Sequence, residues 1–221
     1  MNDHHIKCPY DYIVIEGVIG VGKTSLCRLL SEQLNGRYIL EDYESNPFIE
    51  DFYRSPRANA FKTQLFFLIS RFKKQLEMPL PDLFHSPLIV DFIFQKDRIF
   101  ASINLDDYEL ELYNALWNVL EPKIRPPELV VYLQASTKRL LERIKRRGRN
   151  YEQDISYEYL EALNNAYNEF IFHYYTAPVF IVNTDDVDFV KSPLHLADLV
   201  SNIIAPHSGI TFYHPGGLDG R

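Results

Sequence analysis

The sequence predicts an α/β fold, a doubly wound five-stranded parallel sheet with helices on both faces. Two observations predict it. Short apolar runs rich in Val, Ile and Leu alternate with longer stretches of helical spacing, which is how strands covered on both faces by crossover helices read. The first strand-to-helix junction is a glycine-rich turn, suited to holding an anion at the carboxyl edge of such a sheet.

The first strand is Tyr12-Ile13-Val14-Ile15. Gly17-Val18-Ile19-Gly20-Val21-Gly22-Lys23-Thr24 follows it and fits G-x-x-x-x-G-K-[ST] without a mismatch. A helix over about 23–35 comes next. This order points backbone N–H groups of Gly17, Gly20, Val21, Gly22 and Ser25 and a helix N-terminus at a phosphate. Lys23 would reach the β- and γ-phosphates, and the Thr24 hydroxyl would ligate Mg²⁺. A nucleoside triphosphate is therefore the expected ligand. The second strand, Tyr38 to Leu40, ends on the acidic run Glu41-Asp42-Tyr43-Glu44. Helices are predicted over about 47–54 and 57–77. The third strand, Leu88 to Val90, ends on Asp91, and a helix over 106–121 precedes the fourth, Leu129 to Leu133. Helices over 137–146 and 156–173 lead to the fifth strand, Val179 to Val182, and a last helix spans 193–204. Residues 1–204 are expected to form a single domain. The stretch 205–221 has no period and is expected to be a loosely ordered tail.

Composition narrows the partners. A formal net charge of −7 over 221 residues argues against binding nucleic acid, which needs a basic field. No apolar run is long enough for a membrane span, and Met1 to Lys7 lacks the apolar core of a signal peptide. Two cysteines are too few to staple a domain, so reduced thiols and a cytoplasmic location are expected.

Ligands of open α/β sheets sit beyond the carboxyl ends of the strands, so the glycine-rich loop, the acids after the second strand and Asp91 should face one crevice. Asp91 has the place of an acid that holds Mg²⁺ directly or through water, and also that of a helix N-cap. Glu41 could accept a proton from a hydroxyl that attacks the γ-phosphate, with Asp42 and Glu44 as alternatives. Gln64 and Arg71 are seven residues apart in the 57–77 helix and share a face. That face either lines the crevice, where Gln64 suits an amino-bearing base, or is the wet side of an amphipathic helix. Clustered arginines, including Arg143, Arg147 and Arg149, suit a lid over the phosphates. The alternative, an exposed basic patch for RNA or membrane, is disfavoured by the acidic chain and the lack of interleaved aromatics.

Taken together these segments resemble the deoxynucleoside kinase family, with its P-loop kinase fold and arginine-rich lid. The likeness runs from about Tyr12 to Val182 and rests on Glu16 to Ser25, on Glu41 to Phe48, on Tyr53, Gln64 and Arg71, and on Arg143, Arg147, Arg149 and Glu152. The resemblance implies phosphorylation of a deoxynucleoside 5′-hydroxyl by ATP with Mg²⁺, in a homodimer that binds neither nucleic acid nor membrane. It implies that Glu41 is the base, that Tyr53 and Glu152 bind the 3′-hydroxyl, that Gln64, Arg71 and Asp97 read the base, and that Phe100 stacks near it. Lys23, Arg143, Arg147 and Arg149 would hold the ATP phosphates, and Thr24 and Asp91 the metal. An Arg–Asp pair such as Arg71 with Asp97 is similar to that of members preferring amino-bearing bases, so deoxyadenosine or deoxycytidine is expected, with deoxyguanosine next.

One position departs from the family pattern. Phe92 stands after Asp91, where the family has an arginine that helps hold the reacting groups. If the stretch after Asp91 is helical, Arg98 would present a cation from the same face as a replacement.

Three other functions compete with this one. A nucleoside monophosphate kinase of thymidylate kinase type needs a further cationic site for the acceptor phosphate. A GTPase-like switch expects N-K-x-D, whereas Asn183-Thr184-Asp185-Asp186 has no lysine. A catalytically weakened nucleotide-binding protein draws on Phe92, but Lys23, Thr24, Glu41, Asp91 and the lid arginines are all present.

Overall fold

The computed structural model describes residues 8–80, 86–149, 152, 155–185 and 187–214. Among them is a parallel sheet of six strands in the order β2-β3-β1-β4-β5-β6. The strands are β1 (Tyr12–Gly17), β2 (Arg37–Ile39), β3 (Leu88–Val90), β4 (Leu129–Gln134), β5 (Val179–Asn183) and β6 (Ile210–Phe212). Every residue of β1 and β3 is buried, which explains why they read as unbroken apolar runs. Val14 pairs with Val90 on one side and Val130 on the other, so β1 is central.

Helices flank the sheet: α1 (Lys23–Gln33), α2 (Ile49–Arg54), α3 (Pro56–Leu76), α4 (Lys96–Asn104), α5 (Asp107–Leu120), α6 (Thr137–Arg147), α7 (Tyr157–Phe172) and α8 (Pro193–Ile203). Local chemistry sets their ends. Asp106 accepts the Glu109 N–H while Glu109 accepts the Asp106 N–H, a capping box that starts α5. Ser136, Ser156 and Ser192 cap α6, α7 and α8, and Gly148, at φ +72°, closes α6. The chain leaves β1 for β2 and β3 on one side and crosses to β4 and β5 on the other. That reversal opens a crevice at the carboxyl end of β1.

Two expectations need correction. The sheet has six strands rather than five, because the segment after Ile204 is not loosely ordered over its described part. There Tyr213 donates its N–H to Ile181 O at 2.7 Å, and its hydroxyl donates to Asp198 at 2.5 Å. A three-residue edge strand held by such long-range bonds leaves no period in the sequence. Residues 215–221 of the expected tail lie outside the described residues. The second correction is α4, which was not predicted as an element. Its first turn buries Lys96 and Asp97, so charge interrupts the apolar spacing that would have marked it.

Candidate active site

The crevice at the end of β1 holds a cavity of about 860 Å³. The glycine-rich loop lines one wall from Gly20 to Ser25, with the N-terminus of α1 aimed into it. Glycine is required by close approach as well as by backbone conformation. Gly17 has φ +147°, and a Cβ there would lie 2.4 Å from the Leu133 carbonyl oxygen of β4. Gly20 has φ +86°, and its Cβ would sit 3.0 Å from the Leu140 carbonyl oxygen of α6. Lys23 is buried and donates to the carbonyls of Gly17 at 2.6 Å and Val18 at 3.3 Å. Burial pushes its pKa down to about 8; Glu16 opposes this and the Lys96 ammonium adds to it. Glu16 accepts N–H bonds from Gly17 and Ile93 at 2.8 Å each and so ties the start of the loop to the segment after β3.

Asp91 and Glu41 meet beside this loop. Asp91 accepts the Thr24 hydroxyl at 2.7 Å on one oxygen and the Glu41 N–H at 2.6 Å on the other. Burial raises its pKa. Thr24 and Asp91 present hard oxygen donors at one point, as Mg²⁺ requires, and that ion takes few protein ligands and completes its shell with phosphate and water. The Glu41 side chain is only 4 % exposed. Burial alone would raise its pKa, but Arg71, Lys96 and a hydrogen bond from Tyr43 outweigh this and hold it well below the usual carboxylate range. Asp42 and Glu44, the alternatives considered from sequence, are exposed.

The far wall comes from α3 and α4. Gln64 and Arg71 are both buried, so their shared face is the lining and not the wet side of the helix. Arg71 bridges the cluster, donating through Nε to Glu41 at 2.5 Å and through Nη1 to Asp97. Burial pushes the Asp97 carboxyl up to about 6 against the pull of Arg71. The Gln64 Oε1 and Thr63 Oγ1 atoms are buried with no hydrogen-bond partner among the described residues, and both side chains line the cavity. Such acceptors are costly unless a ligand satisfies them. Tyr53 and Phe100 also line the cavity, with Phe100 edge-on to Tyr167 at 6.1 Å.

The arginines occupy the third side. Arg139, Arg143 and Arg147 recur every four residues on α6 and so share one face. Arg143 donates to Val21 O at 3.1 Å, to the Thr184 hydroxyl at 2.8 Å and to Thr184 O at 2.6 Å, pinning the loop to the end of β5. Arg147 pairs with Glu152, its Nε at 3.1 Å. Arg149 lies 3.5 Å from Glu152 and 4.0 Å from Glu44. Asn150 and Tyr151 of the expected lid are outside the described residues.

Several lining residues were missed. Tyr43, Lys96, Tyr167 and Thr184 all face the cavity. Lys96 left no signal of its own, because it stands in the polar run Gln95-Lys96-Asp97-Arg98, where the sequence does not say which cation turns inward. Arg98 does not replace the absent arginine. It is exposed, its guanidinium lies over the Trp117 ring at 5.9 Å, and it is not among the lining residues.

The family profile of deoxynucleoside kinases matches residues 13–206, and the chain belongs to the deoxynucleoside kinase family. A deoxyguanosine kinase of Bacillus subtilis is 36% identical over 185 residues, 81% of this chain and 89% of that protein. A deoxyadenosine kinase of Dictyostelium discoideum is 36% identical over 165 residues, 72% of this chain and 66% of that protein. Among solved structures, the deoxyadenosine kinase of M. mycoides with bound dATP superimposes with a TM-score of 0.74 at 27% identity, covering 88% of this chain and 100% of that one. The chain is accordingly a phosphotransferase of the P-loop kinase fold, a kinase of deoxynucleosides. Among the described residues no helix is long and apolar enough to cross a membrane.

Proposed function

We propose that this chain transfers the γ-phosphoryl group of ATP to the 5′-hydroxyl of a deoxynucleoside, with deoxyadenosine or deoxycytidine favoured, in a nucleotide salvage role. The observation that carries the reading is Glu41: a buried, ionised carboxylate beside the phosphate loop, held by Arg71 and Lys96, both of which line the cavity. A base there serves a neutral hydroxyl and repels an acceptor that already bears a phosphate, which disfavours a monophosphate kinase. Glu41 takes the hydroxyl proton as the 5′-oxygen attacks phosphorus; the bond to the β-phosphate oxygen breaks and its electron pair leaves with ADP. Lys23, Arg143, Arg147 and Arg149 hold phosphate charge, and Glu152 with Tyr53 binds the sugar 3′-hydroxyl. Thr24 and Asp91 would hold Mg²⁺, which neutralises phosphate charge when bound.

Base preference follows from polarity. An ionised Asp97 only accepts hydrogen bonds, and the Gln64 amide offers a donor and an acceptor. Adenine and cytosine present an amino donor beside a ring acceptor; thymine presents a carbonyl to Asp97 instead. The preference is tested by initial rates over the four deoxynucleosides and their ribonucleoside counterparts with ATP and Mg²⁺. Thymidine is expected to be the poorest deoxynucleoside, and a panel in which none reacts overturns the reading.

Residues 1–204 are proposed as one catalytic domain in a cytoplasmic homodimer. Support for the dimer is a stripe on α5, Tyr108, Leu112, Leu116 and Val119, that is 44–83% exposed at helical spacing. Support for a reducing compartment is that Cys8 and Cys27 are both free. Sedimentation equilibrium should give twice the chain mass; a monomer would exclude the dimer.

A further inference from the structure

Phe92 cannot supply the missing cation from its own position. It is fully buried in the main core beneath the site. Position 98 fails for a geometric reason: residues two apart on an α-helix are rotated by about 200°, so if Lys96 faces inward Arg98 faces out. Lys96 opens α4, is 2% exposed and lines the cavity. Its Nζ donates to Glu41 Oε2, on the carboxylate oxygen that Arg71 Nε does not hold, and lies over the Tyr43 ring at 5.7 Å. It is also near enough to Lys23 to help depress that group. Two buried ammoniums, from α1 and α4, therefore converge where the phosphate loop meets Glu41.

Arg71 is shared between Glu41 and Asp97, whereas Lys96 pairs with Glu41 from the cavity wall. We propose that Lys96 is a catalytic residue whose ammonium contacts the transferring phosphoryl group, in place of the arginine absent at Phe92. The inference rests on the phosphoryl transfer described above. When Glu41 takes the hydroxyl proton it loses its charge, and Lys96 loses its ion-pair partner as the 5′-oxygen bonds to phosphorus and the bond to ADP breaks. Lys96 stays protonated throughout and its charge passes from the carboxylate to the phosphoryl oxygens. An interaction that strengthens only as the reaction proceeds raises kcat and leaves substrate binding little changed.

The test is a cycle of Lys96→Met, Glu41→Gln and the double variant, with Lys96→Arg and Arg98→Ala beside them. Each is assayed for kcat and KM with ATP, Mg²⁺ and the best deoxynucleoside, across pH and with a thermal melt. Wild-type turnover tests the reaction itself, so failure of that reading is seen separately. Lys96→Met is expected to lower kcat about 10²–10³-fold with smaller changes in KM. Lys96→Arg is expected to recover at least a tenth of the wild-type kcat, and Arg98→Ala to remain near normal. The double variant carries the decisive measurement, since removing both charges leaves no orphaned ion and preserves folding. In the Glu41→Gln background, Lys96→Met is expected to cost a further tenfold or more in kcat. No additional cost there, or a Lys96→Met kcat within threefold of wild type, overturns the proposal.

Discussion

Lys23 gives the most direct quantitative prediction. Its ammonium is buried against the carbonyls of Gly17 and Val18, and burial brings its pKa down to about 8 in the free protein. A triphosphate beside it favours the charged form and restores it toward the ordinary value of about 10.4. The difference of about 2.4 units corresponds to about 3 kcal/mol of coupling between protonation and nucleotide binding. The perturbation is therefore pH. Above pH 8 the free protein must bind a proton together with the nucleotide, so Kd for ATP should rise about 8-fold between pH 7.5 and 9 and about 22-fold by pH 9.5. Calorimetric titration without deoxynucleoside, between pH 7.5 and 9.5 in buffers of different ionisation enthalpy, reads both the affinity and the proton uptake. About half a proton should be taken up per site at pH 8. Neighbours do not interfere, because Tyr43 and Tyr167 are pushed well above 10 by burial. A Kd that is flat across this range with no proton uptake refutes the reasoning, and so does an equal slope in Lys23→Met.

Three further outcomes follow from particular contacts. Glu41→Gln strands the Lys96 charge and leaves Arg71 paired with Asp97, so unfolding free energy should fall by about 3–5 kcal/mol and kcat about 10²–10⁴-fold; urea titration and steady-state assay check both, and a variant as stable and active as wild type would remove Glu41 from the site. Because the Glu41 pKa is depressed, its ion pairs stabilise the fold above its unfolded value of about 4.3 and that contribution is lost as pH falls below it. Glu41→Gln should flatten the acid side of the stability curve, and an unchanged slope would contradict the depression. Gly17→Ala drives a Cβ into Leu133 O at a positive φ, costing at least about 1–3 kcal/mol of strain, with loss of nucleotide binding; a wild-type urea midpoint would show that the loop yields.

Much of the site was legible because its residues sit at fixed offsets from strand ends. A parallel strand buried on both faces is an apolar run, and the residue after it faces the crevice, so Asp91 could be found by counting from Val90; Glu41 lies two residues beyond β2, a more exposed edge strand that ends at Ile39. The loop was legible because Gly17, Gly20 and Gly22 each take a positive φ that side chains resist. Gln64 and Arg71 were ambiguous, since a helical period does not say which face is buried.

What the sequence by itself determined is therefore the parallel sheet with its helices, the phosphate loop and the two acids beside it, all set by backbone geometry and local spacing. Only the tertiary structure decided the sixth strand, which depends on bonds from Tyr213 to Ile181 and Asp198. It also decided which cation stands by Glu41. Lys96 and Arg98 are equivalent charges two residues apart in the chain, and the rotation of α4, fixed by its packing against α3 and α7, buries one and exposes the other.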